Sequence, residues 1–151
     1  MTLTERIEKD YIVAYKAKEQ LKLDVLRLLK TAAKNLLVEL KRPGGALSDE
    51  EMMGVLLRQA KQRQDSVEQY RAANRDDLAD REAAELVILQ EYLPQALSQE
   101  ELTAAIEAAV AATGAATPQD MGKVMNAIMA QYKGRVDGKA LSAAVRARLA
   151  R

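Results

Sequence analysis

Apolar residues recur along this chain at intervals of three and four, and nowhere do they alternate with polar ones over the length of a strand. Leu3, Ile7, Tyr11, Ala14 and Tyr15 form one such stripe. Val25, Leu26, Leu29, Ala33, Leu36, Leu37 and Leu40 form a stronger one. That spacing puts side chains on one side of a 3.6-residue helix, whereas a half-buried strand needs a period of two. An all-α fold is the expectation. With five Tyr and no Phe or Trp, its core must be built from Leu, Ile, Val and Met.

Helix stops and starts divide the pattern. RPGG at Arg42–Gly45 breaks it, because Pro and paired Gly both end helices. Next, LSDEEM (Leu47–Met52) supplies a capping box from Ser48 and Glu51 and a hydrophobic staple from Leu47 and Met52. LSQEEL (Leu97–Leu102) repeats that grammar with Ser98 and Glu101. The residues around the two do not match, so they are independent helix starts rather than an internal repeat. From Ser48 a long polar helix runs towards Ala73, and Asn74 suits a left-handed helix end. Asp76 and Asp77 suit the start of the next helix, which runs through Leu86, Leu89 and Leu93 to Pro94.

A boundary between Leu93 and Leu97 separates an N-terminal α-helical domain, residues 1–94, from a C-terminal domain, residues 97–151. The first reads as a hairpin or bundle of long helices and the second as three short ones. Leu102, Ile106 and Val110 face one way until Gly114, and Thr117-Pro118 opens the second short helix. Met121, Val124, Met125, Ile128, Met129 and Tyr132 line the buried face of that helix. Gly134 stops it, Asp137 caps the third, and Leu141, Val145 and Leu149 complete the core.

Chemistry is narrowed by two absences, cysteine and histidine. Thiolate and imidazole catalysis and their metal sites are thereby excluded, and no cofactor or metal is expected. The carboxylates Asp76, Asp77, Asp80, Glu82 and Glu85 interleave with Arg75 and Arg81, which reads as a solvated face or inter-helix ion pairs. Arg58, Lys61, Gln62, Arg63 and Asp65 form a further charged stripe, read as solvated surface. The N-terminus lacks the apolar run of a signal peptide, and no window suits a membrane span, so a cytoplasmic protein with no membrane partner is expected.

Net charge is only +1, but it is unevenly spread. Residues 1–97 carry 16 basic and 17 acidic side chains, whereas from Thr113 onward seven cations face only Asp120 and Asp137. The stretch QYKGRVDG, Gln131–Gly138, holds two of those cations, Lys133 and Arg135, and one of the acids, Asp137, with Lys139 just beyond it. Its glycines are explained by one helix ending and another beginning. Lys133, Arg135 and Lys139 around a helix start also describe an anion site, while Asp137 would compete for the same amides. No GxxxxGK[ST] pattern is present, so nucleotide hydrolysis is not indicated.

The run RQDSVEQYRAANRDDLADREAAELVILQEYLP (Arg63–Pro94), followed by DMGKVMNAIMAQYKGRVDG (Asp120–Gly138), resembles the YqeY family of small bacterial proteins. That resemblance implies a further one. The family's C-terminal unit is similar to the tail of the GatB subunit of the tRNA-dependent amidotransferase, over about Leu97–Leu149. Gly122, Ile128, Met129, Lys133, Gly134 and Arg135 fall on the tail's G…VM…KGKANP pattern. Asn74 departs from the family's usual Gly, and Val136-Asp137-Gly138 stands in place of Ala-Asn-Pro.

The resemblance implies a helical module that helps hold tRNA, with an amido-transferring carbon–nitrogen ligase activity associated with the family. The residues themselves supply no catalytic constellation. The reading favoured is a non-catalytic accessory module that presents Lys123, Lys133, Gly134, Arg135, Lys139 and Arg146 to a phosphate backbone. Its expected partners are tRNA and an amidotransferase or synthetase. A protein–protein adaptor using the helix from Ser48 to Ala73, and an amido-transferring enzyme, are the alternatives.

Overall fold

The computed structural model describes residues 1–150. Among them lie seven α-helices, one 3-10 turn and no strand. Met1–Leu93 form one compact unit, and the chain from Pro94 onward forms a second.

In the first unit α1 (Leu3–Ala17), α2 (Gln20–Glu39), α3 (Asp49–Ala72) and α4 (Asp76–Gln90) share one core. Ile7 and Ala14 enter it from α1, and Val25, Leu26 and Leu29 from α2. From α3 come Met52, Val55, Leu56 and Ala60, and Leu89 comes from α4. Fully burying a side chain such as Leu29 contributes about 1.5–3 kcal/mol, so these residues dominate what holds the unit together. Three expected core residues are instead exposed: Tyr15 at 65%, Leu40 at 43% and, in the second unit, Met129 at 39%. At about 100° per residue, Tyr15 and Met129 sit at the edges of their stripes. Leu40 lies just past the end of α2.

The helix ends obey the sequence in part. Ser48 and Glu51 form the reciprocal capping box, with Glu51 N–H to Ser48 Oγ at 3.1 Å and Ser48 N–H to Glu51 Oε1 at 2.9 Å. The staple partners Leu47 and Met52 are both buried. Asn74 is left-handed, φ 59°, as its position suggests. Lys18 and Lys41 take the same conformation, each with φ 58°. At Lys41 the amide reaches the Val38 carbonyl while the Arg42 amide reaches Leu37, so α2 has ended before Pro43 and the glycines are met. Likewise α4 ends at Gln90 rather than at Pro94. The amides of Glu91, Tyr92 and Leu93 bond three residues back in a tightened turn. This turn buries Tyr92, whose hydroxyl donates to Asp10 Oδ2 at 2.6 Å while the Arg6 guanidinium lies 4.7 Å from its ring centre.

In the second unit α5 (Gln99–Thr113), α6 (Met121–Gln131) and α7 (Gly138–Leu149) enclose Leu102, Ile106, Ala109, Val124, Ile128, Leu141, Val145 and Leu149. Ser98 caps α5 through the Glu101 amide, 3.1 Å. The Glu101 carboxylate does not close a box on the Ser98 amide; it accepts from the Ser98 hydroxyl and faces Arg135. Thr117-Pro118 opens a 3-10 turn, Pro118–Asp120, before α6 begins. Asp120 Oδ2 accepts from the amides of Ala116 at 3.0 Å and Thr117 at 3.3 Å. These bonds, with Lys123 nearby, hold its carboxyl below the ordinary aspartate range.

Candidate nucleic-acid interface

The α6–α7 connection is built by its backbone. Gly134 has φ 80°, in the left-handed region open to glycine, and the Arg135 amide closes the turn onto the Tyr132 carbonyl at 2.9 Å. Asp137 then starts α7. Its carboxylate accepts from the Ala140 amide at 3.3 Å, and its carbonyl accepts from Leu141 at 2.9 Å. One of the free amides that could meet an anion at this helix start is therefore already engaged.

The six sequence candidates separate into two groups in this frame. Gly134 shapes the turn and Arg135 clamps it. The Arg135 guanidinium donates to the Gln95 carbonyl at 2.9 Å, faces Glu101 at 3.4 Å and lies 5.9 Å from the Tyr132 ring centre. Its own carbonyl accepts the Leu97 amide at 2.9 Å. Main chain and side chain of Arg135 together tie the segment entering α5 to the α6–α7 turn. Sequence spacing could not show this, because the partners lie 34 and 40 residues away.

The other four are exposed. Lys123 sits 3.8 Å from Asp120 with 69% of its side chain exposed, a weak pair of the i, i+3 kind. Lys133 lies in the turn, and Lys139 and Arg146 lie on α7, all of them exposed. Seven residues separate Lys139 from Arg146, which puts both on one side of α7. The start of α6 and the turn after it are about 15 Å apart along the helix, at 1.5 Å per residue. Lys123 and Lys133 occupy those two ends. Arg148, outside the candidate set, is held by Glu107 of α5, which raises its guanidinium pKa.

In the first unit the carboxylates Asp76, Asp77 and Asp80 are paired with arginines rather than gathered into a catalytic group. Arg71 meets Asp76 at 3.4 Å and Asp80 at 3.0 Å, and Arg75 meets Asp77 at 3.2 Å. Arg75, chiefly by hydrogen bonding, holds the Asp77 carboxyl below its ordinary range. Among the described residues no group of three acidic side chains is placed to hold a metal ion. Arg63 is not solvated as its charged stripe suggested. It is 6% exposed and faces Glu85 of α4 at 3.3 Å.

A family model for YqeY-like proteins matches residues 4–149, which is essentially the whole chain. The chain belongs to the YqeY-like family. No curated protein matches it. The match spans both units, so the paired charges of α3 and α4 and the basic residues of α6 and α7 all lie inside the family's extent. No helix among the described residues is long and apolar enough to cross a membrane.

Proposed function

We propose that this YqeY-like chain is a non-catalytic accessory module that associates with tRNA through its phosphate backbone. In that reading residues 97–151 act as a small three-helix module resembling the amidotransferase tail. A bundle of long helices, residues 1–94, carries it. The partners are tRNA and an amidotransferase or synthetase, met in the cytoplasm. The observation that carries the reading is the exposure of Lys123, Lys133, Lys139 and Arg146 in a segment with few opposing acids. Arg135 is reassigned: it serves the turn that presents the others. With one tyrosine in the second unit and no tryptophan or phenylalanine, base stacking contributes little, so recognition rests on charge and shape.

Four phosphates engaged give a log K that falls by roughly 3 per tenfold rise in salt, or about sixty-fold between about 50 and about 200 mM. Titration of bulk tRNA at those two salts tests it. The Lys133→Ala/Lys139→Ala variant is expected to weaken binding and flatten the salt slope by roughly 1.5. Asp137→Asn, which keeps a capping side chain and removes a negative charge, is expected to strengthen it. Absence of binding at low salt, or an unchanged slope in the double variant, sinks the proposal. Capture of one protein that survives nuclease treatment would favour the adaptor reading instead.

A further inference from the structure

The chain passes from the first unit to the second through residues 91–97, which belong to no α-helix. A segment between two units is ordinarily a flexible linker. Here it is fastened at both ends, each end to its own unit. Up to Leu93 the ties run to the first unit. The Arg6 guanidinium donates to the Glu91 carbonyl at 3.2 Å, and Lys22 meets the Glu91 carboxylate at 3.6 Å. Tyr92 is 4% exposed, and its hydroxyl is held by Asp10. Leu93 packs against the first core, and its amide reaches the Gln90 carbonyl at 3.2 Å.

From Gln95 onward the ties run to the second unit. Arg135 Nε donates to the Gln95 carbonyl and the Leu97 amide donates to the Arg135 carbonyl, each at 2.9 Å. Leu97 also packs against the second core, and Ala96 is bracketed by the two bonds. Between the two sets of ties stands Pro94, exposed and with no amide hydrogen to bond. Its ring fixes φ at about −65°, and its Cδ confines Leu93 ψ to the extended region. The torsions left to turn are Pro94 ψ and Gln95 φ.

We propose that Pro94 is a one-residue hinge about which each unit turns as a rigid body. Arg6, Asp10 and Tyr92 on one side, and Arg135 on the other, are the latches that keep the hinge this short. Hinge motions are absorbed by a few such torsions at the ends of elements. Binding that engages both units then has two torsions to fix rather than a whole free linker. The device does not rest on the tRNA reading.

Residual dipolar couplings and nitrogen relaxation of the backbone amides, measured on the full chain, provide the test. Couplings of residues 3–93 are expected to fit one alignment frame and those of residues 96–149 another. Order parameters should stay at about 0.85 for Tyr92 and Leu93 and for Ala96 and Leu97. Arg6→Gln/Tyr92→Phe should lower Tyr92 and Leu93 towards about 0.6 and leave Ala96 and Leu97 as they were. Arg135→Gln should do the converse, and with the natural chain it carries the test should the double variant fail to fold. A single frame for both units would overturn the hinge. So would a mobile stretch extending beyond Pro94 and Gln95 in the natural chain, or flanks that stay ordered in the folded variants.

Discussion

Glu51 meets two donors at the start of α3, and the combination fixes how this helix responds to acid. The Arg42 guanidinium bonds its carboxylate, and the Ser48 amide adds a second bond, so the pKa falls from 4.5 to about 2. A carboxyl whose folded pKa is depressed stabilises the fold fully above its unfolded value and loses that contribution as pH falls towards the folded one. The window is therefore pH 4.5 down to about 2. Melting temperatures taken across it should drop more steeply for the natural chain than for Glu51→Gln, which keeps the cap but cannot titrate. Parallel curves would show that the pair contributes nothing to acid stability.

Half of this device is legible in the sequence. Ser48 and Glu51 stand three apart before an apolar run, which is the local signature of the box. The Arg42 partnership depends on how the chain leaves α2. There, Lys41 rather than a glycine adopts the left-handed conformation, and no local preference of lysine announces that. Arg135 illustrates the same limit: its basic neighbourhood suggests a ligand, while its partners are set by tertiary approach.

Between elements, the contact of α3 with α4 is the most extensive in the chain, and it buries a charge. The Arg63 and Glu85 side chains are 7% and 13% exposed. Their approach is ionic but poorly aligned. Arg63 Nε has no hydrogen-bond partner, although Nη1 donates to Gln59 at 2.9 Å. Arg81, 3.7 Å from Glu85, adds a second cation from the solvent side. Removing Arg63 leaves the buried Glu85 with only Arg81 at 3.7 Å, so Arg63→Ala should destabilise the first unit in urea unfolding, by less than the about 3–5 kcal/mol of a fully stranded buried charge. The Arg63→Met/Glu85→Leu variant should unfold within about 1 kcal/mol of the natural chain, or above it, because the cost of keeping two charges out of water is removed together with their pairing and the Gln59 bond. A double variant as weak as the single one would mean that the pair itself, not its burial, stabilises the packing of α4 on α3. A charged stripe predicts exposure in sequence. Only the approach of α4 over α3 makes Arg63 interior, and the sequence pattern of either helix alone does not contain that.

At the scale of the molecule, each core draws its residues from one side of Pro94: Leu3 to Leu93 for the first, Leu97 to Leu149 for the second. The Arg135 clamp, through Gln95, Leu97 and Glu101, also closes within the second unit. A chain of roughly 60 residues buries only about 60% of its unfolded surface, which leaves such a unit marginal but able to fold. Residues 94–151 expressed alone should therefore be helical and unfold cooperatively, at a lower temperature than residues 1–93. Arg135→Ala should weaken the short fragment by loosening the entry to α5. If the exposed cations of α6 and α7 hold tRNA, the short fragment should keep the salt-dependent affinity of the whole chain and residues 1–93 should have none. Circular dichroism melts of the two fragments, followed by the same tRNA titration, separate the outcomes. A helical short fragment that ignores tRNA would retain the two-core architecture and remove the phosphate role of α6 and α7. A short fragment that is unfolded by itself would show that Pro94 does not divide the chain into independently stable parts.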